Sequence, residues 1–284
     1  MATSVTLMAL SGCSVDKDEL SRLAMPVISE NATNNTEGQY ELWKWAWVAA
    51  ILTGILVWGL IGYAVVAFRR RSDDEIPVQT RYNLPLEILY TLAPVVMVIV
   101  FFYFTIEAQN DLDRKVENPD HTVEVVGQQW SWTFNYVEDD ALDGRTTVFQ
   151  PGSPDKPPTL YLVEGESVRF NFHSPDVIHD FWVPGFLQKM DVVPGYTNSF
   201  DLIPTRQGTF VGKCAELCGV YHSRMLFNVE VVDAATFASK LEELEAAGNI
   251  GPACGPTFAD TIAGLDEENE RELPDNDPAN GVCK

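Results

Sequence analysis

Residues 45–68, WAWVAAILTGILVWGLIGYAVVAF, form an apolar run that contains no charged side chain. A helix of this length can cross the hydrocarbon core of a bilayer with some tilt. Buried helices of soluble proteins rarely stay apolar on every face for so long. Trp43, Trp45 and Trp47 crowd one end of the run, as aromatic side chains do at a membrane interface. The run therefore predicts a transmembrane helix.

A second uncharged run, residues 88–106, predicts a second transmembrane helix. Asn83 and Pro85 suit the cap and the first turn of such a helix. Pro94 lies inside the run, and membrane helices tolerate an internal proline where neighbouring groups satisfy the released backbone carbonyl. We therefore expect a two-helix transmembrane hairpin over residues 42–107.

Three arginines, Arg69 to Arg71, lie between the two runs and set the predicted orientation. Loops rich in arginine and lysine stay on the cytoplasmic side of the plasma membrane. Both ends of the hairpin, and with them both termini, then face outward. Residues 108–248 would form an external domain, and residues 249–284, which are rich in Asp, Glu, Pro and Gly, would form an acidic tail.

The segment before the hairpin has two parts. Residues 1–13 end in Leu-Ser-Gly-Cys13, the pattern of a bacterial lipoprotein signal, although residues 1–10 lack the Lys or Arg of a typical signal peptide. We expect Cys13 to be lipidated, which requires the same outward orientation of the N-terminus. Residues 14–41 are polar and show no apolar period, so they are expected to form an external arm.

The external domain shows the pattern of many short strands separated by turn residues. Pairs such as Pro151-Gly152 and Pro194-Gly195 punctuate it, which predicts an antiparallel sandwich or barrel. A helix is expected over residues 234–247, with Asp233 as its N-cap. The predicted strands are Val123–Val126, Trp130–Tyr136, Leu160–Val163, Val168–Phe172, Phe181–Val183, Thr197–Leu202, Thr209–Lys213 and Met225–Val232.

The formal net charge of the chain is −22. Proteins that bind nucleic acid need basic surfaces, so this class of function is excluded. An acidic field would steer a basic partner toward the domain, although the same acidity also keeps a protein soluble.

The stretch most informative about chemistry is Cys214-Ala-Glu-Leu-Cys218-Gly-Val-Tyr-His222-Ser-Arg-Met225. Its thiolate, imidazole and thioether donors suit copper better than magnesium or calcium. A zinc site would leave Met225 unused, and a mononuclear copper site would need only one of the two cysteines. Two thiolates at this spacing can instead bridge two coppers. A disulfide between them would leave the His and the Met without a role.

A second imidazole has to come from elsewhere in the chain, which contains four histidines. His179 lies in an apolar and aromatic stretch and is the best candidate by elimination. His121 precedes the first predicted strand and is expected to be solvated. His173 ends a strand beside Ser174-Pro175 and is expected to be a structural or surface residue.

This donor set and its spacing resemble the binuclear copper site, CuA, of cytochrome c oxidase subunit II. The resemblance covers about residues 40–247 and includes the hairpin and the segments 127–136 and 186–195. It implies an N-terminal two-helix transmembrane hairpin followed by an all-β cupredoxin-like Greek-key barrel. It also implies a proton-translocating oxidoreductase, in which subunit II accepts electrons from a c-type cytochrome. The electrons then pass to heme in subunit I, where dioxygen is reduced to water.

The resemblance further implies a role for each donor. The implied copper ligands are two bridging thiolates, two imidazoles and two weak axial donors: Cys214, Cys218, His179, His222, Met225 and the backbone carbonyl of Glu216. The Glu216 side chain would also reach a magnesium ion shared with subunit I, since a carboxylate is a suitable ligand for that ion.

Two other residues match the family. Trp130 matches the aromatic residue that receives the electrons, and an exposed ring there would suit a docking patch, although Ser131 stands where the family often has another aromatic. Glu87 matches a glutamate near the entrance of a proton path into subunit I. It would equally serve as a carboxylate at a helix start.

The expected partners are subunits I and III, membrane lipid and a c-type cytochrome, which could be a membrane-bound cytochrome in a supercomplex. The sequence has no Cys-x-x-Cys-His, so no heme is expected on this chain, and an actinobacterial type of subunit is favoured. Cys254 and Cys283 could form a disulfide in an oxidising exterior. The alternatives are the electron-accepting subunit of a CuA-type nitric oxide reductase and a copper-binding, membrane-tethered module without an oxidase role.

Overall fold

The computed structural model describes residues 32–72, 76, 79–142, 144 and 146–253. The chain divides into two compact units. One contains residues 37–113, and the other contains residue 114 onward together with the segment up to residue 36. Cys13, Cys254 and Cys283, for which lipidation and a disulfide are predicted, lie outside the described residues.

The smaller unit contains two long helices, α1 (Thr36–Ala67) and α2 (Leu84–Leu112). Asn83 caps α2 by accepting the N–H of Leu86 at 3.3 Å, and the Glu87 carboxylate accepts the N–H of Asn83 at 2.9 Å. Both helices are long and apolar enough to cross a membrane, and their apolar side chains are largely exposed. They coincide with the two runs that predicted the hairpin.

The larger unit is a sandwich of two five-stranded sheets. Its strands are β1 (His121–Gln128), β2 (Ser131–Tyr136), β3 (Val148–Gln150), β4 (Thr159–Val163), β5 (Val168–His173), β6 (His179–Val183), β7 (Gln188–Val192), β8 (Asn198–Leu202), β9 (Gly208–Cys214) and β10 (Leu226–Val232). The strand orders are β3-β2-β1-β5-β8 and β4-β10-β9-β6-β7. Strands β1 and β5 pair in parallel, as do β10 and β4, so the sandwich is not wholly antiparallel as the turn pattern had predicted, and the chain crosses between the sheets. This is the predicted Greek-key, cupredoxin-like arrangement.

Aromatic side chains from both sheets fill the core. In β5 the buried and half-buried positions alternate, which directs Phe170 and Phe172 inward. From the other sheet, Phe181 and Phe227 stack with their ring centroids 4.7 Å apart. Each fully buried ring of this kind stabilises the fold by roughly 1.5–3 kcal/mol. The cluster therefore provides a rigid base for the ends of β6, β9 and β10.

Two strands were not predicted, and the reasons differ. β3 has only three residues, too few to show an alternating pattern. In β7, exposed Lys189 and Asp191 leave a weak apolar signal.

The helix predicted over residues 234–247 is confirmed as α3 (Ala234–Ala246). Asp233 is its N-cap, as predicted, and accepts the N–H of Thr236 at 2.9 Å.

His121 is buried, so the expectation of a solvated ring was wrong. Its Nδ1 and Nε2 each lie 2.7 Å from a carboxylate, that of Asp139 and that of Glu166. Burial lowers the pKa of His121, but the hydrogen bonds to the two carboxylates outweigh it, and the net pKa is raised. The ring also packs against Phe237 of α3 at 4.8 Å, so it ties β1 to the helix.

The first residues of the predicted tail lie along the barrel. Ile250 forms a β-bridge with Val148. Ala253 exchanges two hydrogen bonds with the Asn135 side chain, at 2.7 and 3.1 Å. Residues 249–253 thus extend the sheet beyond β3.

Candidate metal centre

Three strand ends bring the predicted ligands together. His179 begins β6, Cys214 ends β9, and Met225 immediately precedes β10. β6 and β9 are antiparallel neighbours, and the Cys214 N–H donates to the Met225 carbonyl at 3.0 Å. The loop between Cys214 and Met225 is therefore closed at its base, and it carries Cys218 and His222.

The donor atoms of these residues lie close together. The two sulfurs, Cys214 Sγ and Cys218 Sγ, are 3.8 Å apart. His179 Nδ1 lies 3.9 Å from Cys214 Sγ, and His222 Nδ1 lies 3.6 Å from Cys218 Sγ. Met225 Sδ lies 3.7 Å from Cys218 Sγ. Both cysteines, His179 and Met225 are buried, so solvent has little access to these donors.

Glu216 contributes two different groups. Its backbone carbonyl oxygen lies 3.2 Å from Cys214 Sγ, within the cluster. Its side chain is exposed. The carbonyl and the carboxylate are therefore available to different partners.

The geometry discriminates among the alternatives for this cluster. The sulfur–sulfur distance of 3.8 Å is far longer than the about 2.05 Å of a disulfide, so Cys214 and Cys218 are free thiols. A zinc ion would use two thiolates and two imidazoles and leave the thioether and the carbonyl idle. A mononuclear copper site would leave one thiolate idle. Six donors, two adjacent sulfurs with four further soft or weak donors around them, fit a copper pair.

Hydrogen bonding separates the pKa values of the two thiols. The hydrogen bond with Cys218 lowers the pKa of Cys214 to about 3, with a further contribution from His179. The shared proton raises the pKa of Cys218. The lowered pKa of Cys214 favours its thiolate, which is the form of cysteine that binds a soft metal ion.

Asp176 orients His179, whereas its sequence context had indicated only a solvated carboxylate or part of an acidic rim. Its Oδ1 accepts the Nε2–H of His179 at 2.9 Å and the N–H of Val177 at 2.6 Å, while its Oδ2 accepts the N–H of Gln129 at 2.7 Å. Burial raises the pKa of Asp176, but these bonds outweigh it and lower the pKa. With Nε2 held in this way, Nδ1 faces the sulfurs. The position of Asp176, three residues before the candidate ligand His179, is the sequence signal that could have indicated this role.

Trp130 is only 6% exposed, so the expected exposed ring is not found. Its indole Nε1–H donates to the Cys218 carbonyl at 3.2 Å, and its ring packs edge-on against Tyr221 at 5.2 Å. Trp132 is fully buried in the core, with its ring centroid 6.2 Å from that of His179. Trp130 therefore contacts the loop between Cys214 and Met225, and Trp132 packs against the ring of His179 from the core.

The remaining predicted site residue and the other histidine lie elsewhere. Glu87 belongs to the helical unit, where it accepts the N–H of Asn83. His173 pairs with Glu124, as expected of a structural histidine.

Comparison with known proteins gives a consistent result. The family described as "Cytochrome C oxidase subunit II, periplasmic domain" matches residues 121–232, and "Cytochrome C oxidase subunit II, transmembrane domain" matches residues 22–107. A Streptomyces coelicolor protein named "Probable cytochrome c oxidase subunit 2" is 43% identical over 283 residues, which are 88% of this chain and 87% of that protein. The Nocardia farcinica protein of the same name is 34% identical, over 94% of this chain and 84% of its own. The crystal structure of the periplasmic domain of subunit II of cytochrome oxidase from Bradyrhizobium japonicum matches 47% of this chain and 99% of its own, with 29% identity and a TM-score of 0.41.

Proposed function

The chain belongs to the cytochrome c oxidase subunit II family, and on this premise we propose that its barrel holds a binuclear copper centre that receives electrons for the complex. Membership makes the chain a two-span membrane subunit of an oxidoreductase complex and confirms the predicted hairpin. It also favours the oxidase over the nitric oxide reductase and over the tethered copper module considered from the sequence. The family implies copper, and the ligand atoms of His179, Cys214 and Cys218 lie close enough together to hold a metal ion.

The proposal is carried by one observation, the two free sulfurs 3.8 Å apart with one imidazole nitrogen within 4 Å of each. Cys214, Cys218, His179 and His222 would hold the metals. Met225 Sδ and the carbonyl of Glu216 would be weaker donors to them.

A copper pair, once bound, supplies a one-electron redox centre whose charge is shared by two metals. The protein residues have the task of keeping the ligands in place, because electron transfer is fast when few atoms move. The closed base of the Cys214–Met225 loop, the buried rings beneath it and the Asp176–His179 hydrogen bond all serve that task. No covalent chemistry on a substrate is required of this subunit.

Trp130 is the proposed route by which electrons reach the centre. Its indole N–H is bonded to the carbonyl of Cys218, so a path of one hydrogen bond and a short stretch of backbone leads to a thiolate ligand. The proposed donor is a c-type cytochrome with a basic docking face, because the chain carries a net charge of −22 and opposite fields speed encounter.

The other expectations stand as parts of the same proposal. The barrel and both termini would face outward, and the chain would assemble with subunits I and III and carry no heme. The exposed Glu216 carboxylate would bind magnesium at the contact with subunit I, and Glu87 would lie at the entrance of a proton path. Cys13 would carry a lipid, Cys254 would pair with Cys283, and the domain limits would be those predicted above.

A copper count and an electron paramagnetic resonance spectrum of the full chain in detergent test the proposal. We expect two coppers per chain and a hyperfine pattern from one electron shared by two equivalent copper nuclei. Cys214→Ser and Cys218→Ser should each abolish that pattern, because one of the two thiolate donors is lost. His222→Gln should disrupt it, whereas the matched His173→Gln should leave it unchanged. One copper per chain, or zinc in its place, would refute the proposal.

A further inference from the structure

The turn between β1 and β2 carries two hydrogen-bond donors that converge on a single backbone atom of the metal loop. Gln129 Nε2 donates to the Cys218 carbonyl at 2.5 Å, and Trp130 Nε1 donates to the same oxygen at 3.2 Å. The turn is the tip of a hairpin in which Gln128 pairs with Ser131, so these two residues project from the end of the sheet. One carbonyl oxygen therefore accepts two hydrogen bonds from this turn.

Gln129 also contacts the opposite half of the site through its backbone. Its N–H donates to Asp176 Oδ2 at 2.7 Å, and the other oxygen of Asp176 holds His179. The His179 side of the cluster comes from β6, whereas Cys218 lies in the loop after β9. One residue thus links the two chain segments that supply the donors.

Gly219 leaves room for this arrangement. A Cβ atom at this position would lie 3.0 Å from Gln129 Nε2 and 3.0 Å from Trp130 Nε1, closer than side chains normally approach. Its φ of +126° also lies in a region that favours glycine. The residue after Cys218 therefore has both the backbone conformation and the size that allow the two donors to reach the carbonyl.

The two hydrogen bonds distinguish two carbonyls of the same loop. The carbonyl of Glu216 lies 3.2 Å from Cys214 Sγ, inside the donor cluster. The carbonyl of Cys218 is instead bound by the amide and the indole. An oxygen that already accepts two hydrogen bonds is a poor metal ligand, because those bonds have to be broken first.

We infer that Gln129 is a positioning residue of the metal centre. Its side-chain amide holds the Cys218 carbonyl out of the metal coordination sphere, and its backbone N–H steadies the carboxylate that orients His179. This inference rests on the proposed copper site and adds to it a residue that binds no metal. The amide sets where the Cys218 sulfur and the Glu216 carbonyl lie relative to each other.

Gln129→Met tests the inference in the full chain in detergent, because methionine has nearly the same length and volume but cannot donate. Its backbone N–H to Asp176 remains. Gln207→Met is the matched control, since Gln207 is exposed and its side chain donates to Glu164 at 2.9 Å. Gln207 precedes the first residue of β9, and Cys214 is the last residue of that strand. The readouts are the copper hyperfine pattern, the midpoint reduction potential and the rate of copper loss to a chelator. Thermal unfolding of the metal-free chain is recorded for each protein.

We expect Gln129→Met to change the hyperfine pattern and the midpoint potential, and to speed copper loss by about three- to tenfold, as expected for one lost hydrogen bond. Gln207→Met should match the wild type. Gly219→Ala, whose Cβ would displace both the Gln129 amide and the Trp130 indole, should change the same readouts in the same direction. If Gln129→Met does not fold, unchanged readouts in Gly219→Ala would overturn the inference.

An unchanged hyperfine pattern and potential, with copper loss within twofold of the wild type, would overturn the inference. So would a lower unfolding temperature of the metal-free chain with unchanged spectra, since this would mean that Gln129 only stabilises the turn. A wild-type chain without the two-copper spectrum would instead overturn the proposed function, and the two failures are therefore distinct.

Discussion

Replacing Asp176 by Asn probes how far the copper centre depends on a residue that does not bind metal. The carboxylate accepts hydrogen bonds from His179 at 2.9 Å, from Val177 at 2.6 Å and from Gln129 at 2.7 Å. An Asn side chain has the same shape but only one acceptor oxygen. Its amide group has to face at least one of these N–H donors, and the negative charge beside the imidazole is lost.

The size of the effect follows from these contacts. A hydrogen bond to a charged group contributes about 1.5–3 kcal/mol. Loss of the carboxylate that holds a metal-binding histidine typically lowers metal affinity by about 10–100-fold. Since tenfold corresponds to about 1.4 kcal/mol, the two ranges agree. We therefore expect Asp176→Asn to weaken copper binding by about 10–100-fold.

Competition with a copper chelator of known affinity measures this change on the full chain in detergent. Asp140→Asn is the control, because Asp140 is exposed and its replacement removes the same charge. The control should bind copper as the wild type does. Affinity of Asp176→Asn within threefold of the wild type would refute the reasoning, as would an equal loss in Asp140→Asn.

Three other changes have defined outcomes. Burial lowers the pKa of His121, but the hydrogen bonds to carboxylates such as that of Asp139 raise it by more, so the folded pKa is raised. The stabilisation from these bonds is therefore complete below the unfolded pKa of about 6.5 and is lost as pH rises through the higher folded value. His121→Gln should therefore reduce the stability of the metal-free chain more at pH 5 than at pH 9, and an equal loss at both would contradict this. Gly212→Ala would place a Cβ 2.0 Å from a ring carbon of Phe227 and should lower the free energy of unfolding by about 1–3 kcal/mol, which thermal unfolding will show. Glu87→Gln keeps an acceptor for the helix cap but cannot ionise, so it should slow proton uptake of the assembled complex during turnover without loss of assembly; unchanged uptake would exclude Glu87 from the path.

Most of the proposed metal ligands could be picked out because they are close in sequence. Cys218 and His222 lie in one short loop, and their donor types already indicate a soft metal. His179 was found by elimination among few histidines. Asp176 and Gln129 could not be identified as functional in the same way, because neither has a metal-binding pattern and both act through hydrogen bonds to residues of other segments.

Burial was the property that sequence reasoning judged least well. Trp130 was expected on the surface and is buried against the loop, and His121 was expected in solvent and lies between two carboxylates. Alternation along a strand predicts which side chains share a face, but it does not tell which face another segment covers. Here the covering segments are the loop after β9 and helix α3.

The sequence by itself determined the two membrane spans, the strand-rich domain and the chemistry of the donors. Apolar length, turn residues and ligand type are properties of residues near one another in the chain. Only the tertiary structure decided that the two sulfurs lie 3.8 Å apart, that Nδ1 of His179 faces them and that the Cys218 carbonyl is held by the β1–β2 turn. These distances depend on the register of β6 against β9 and on the packing of the two sheets, and both are set by contacts between residues far apart in the chain.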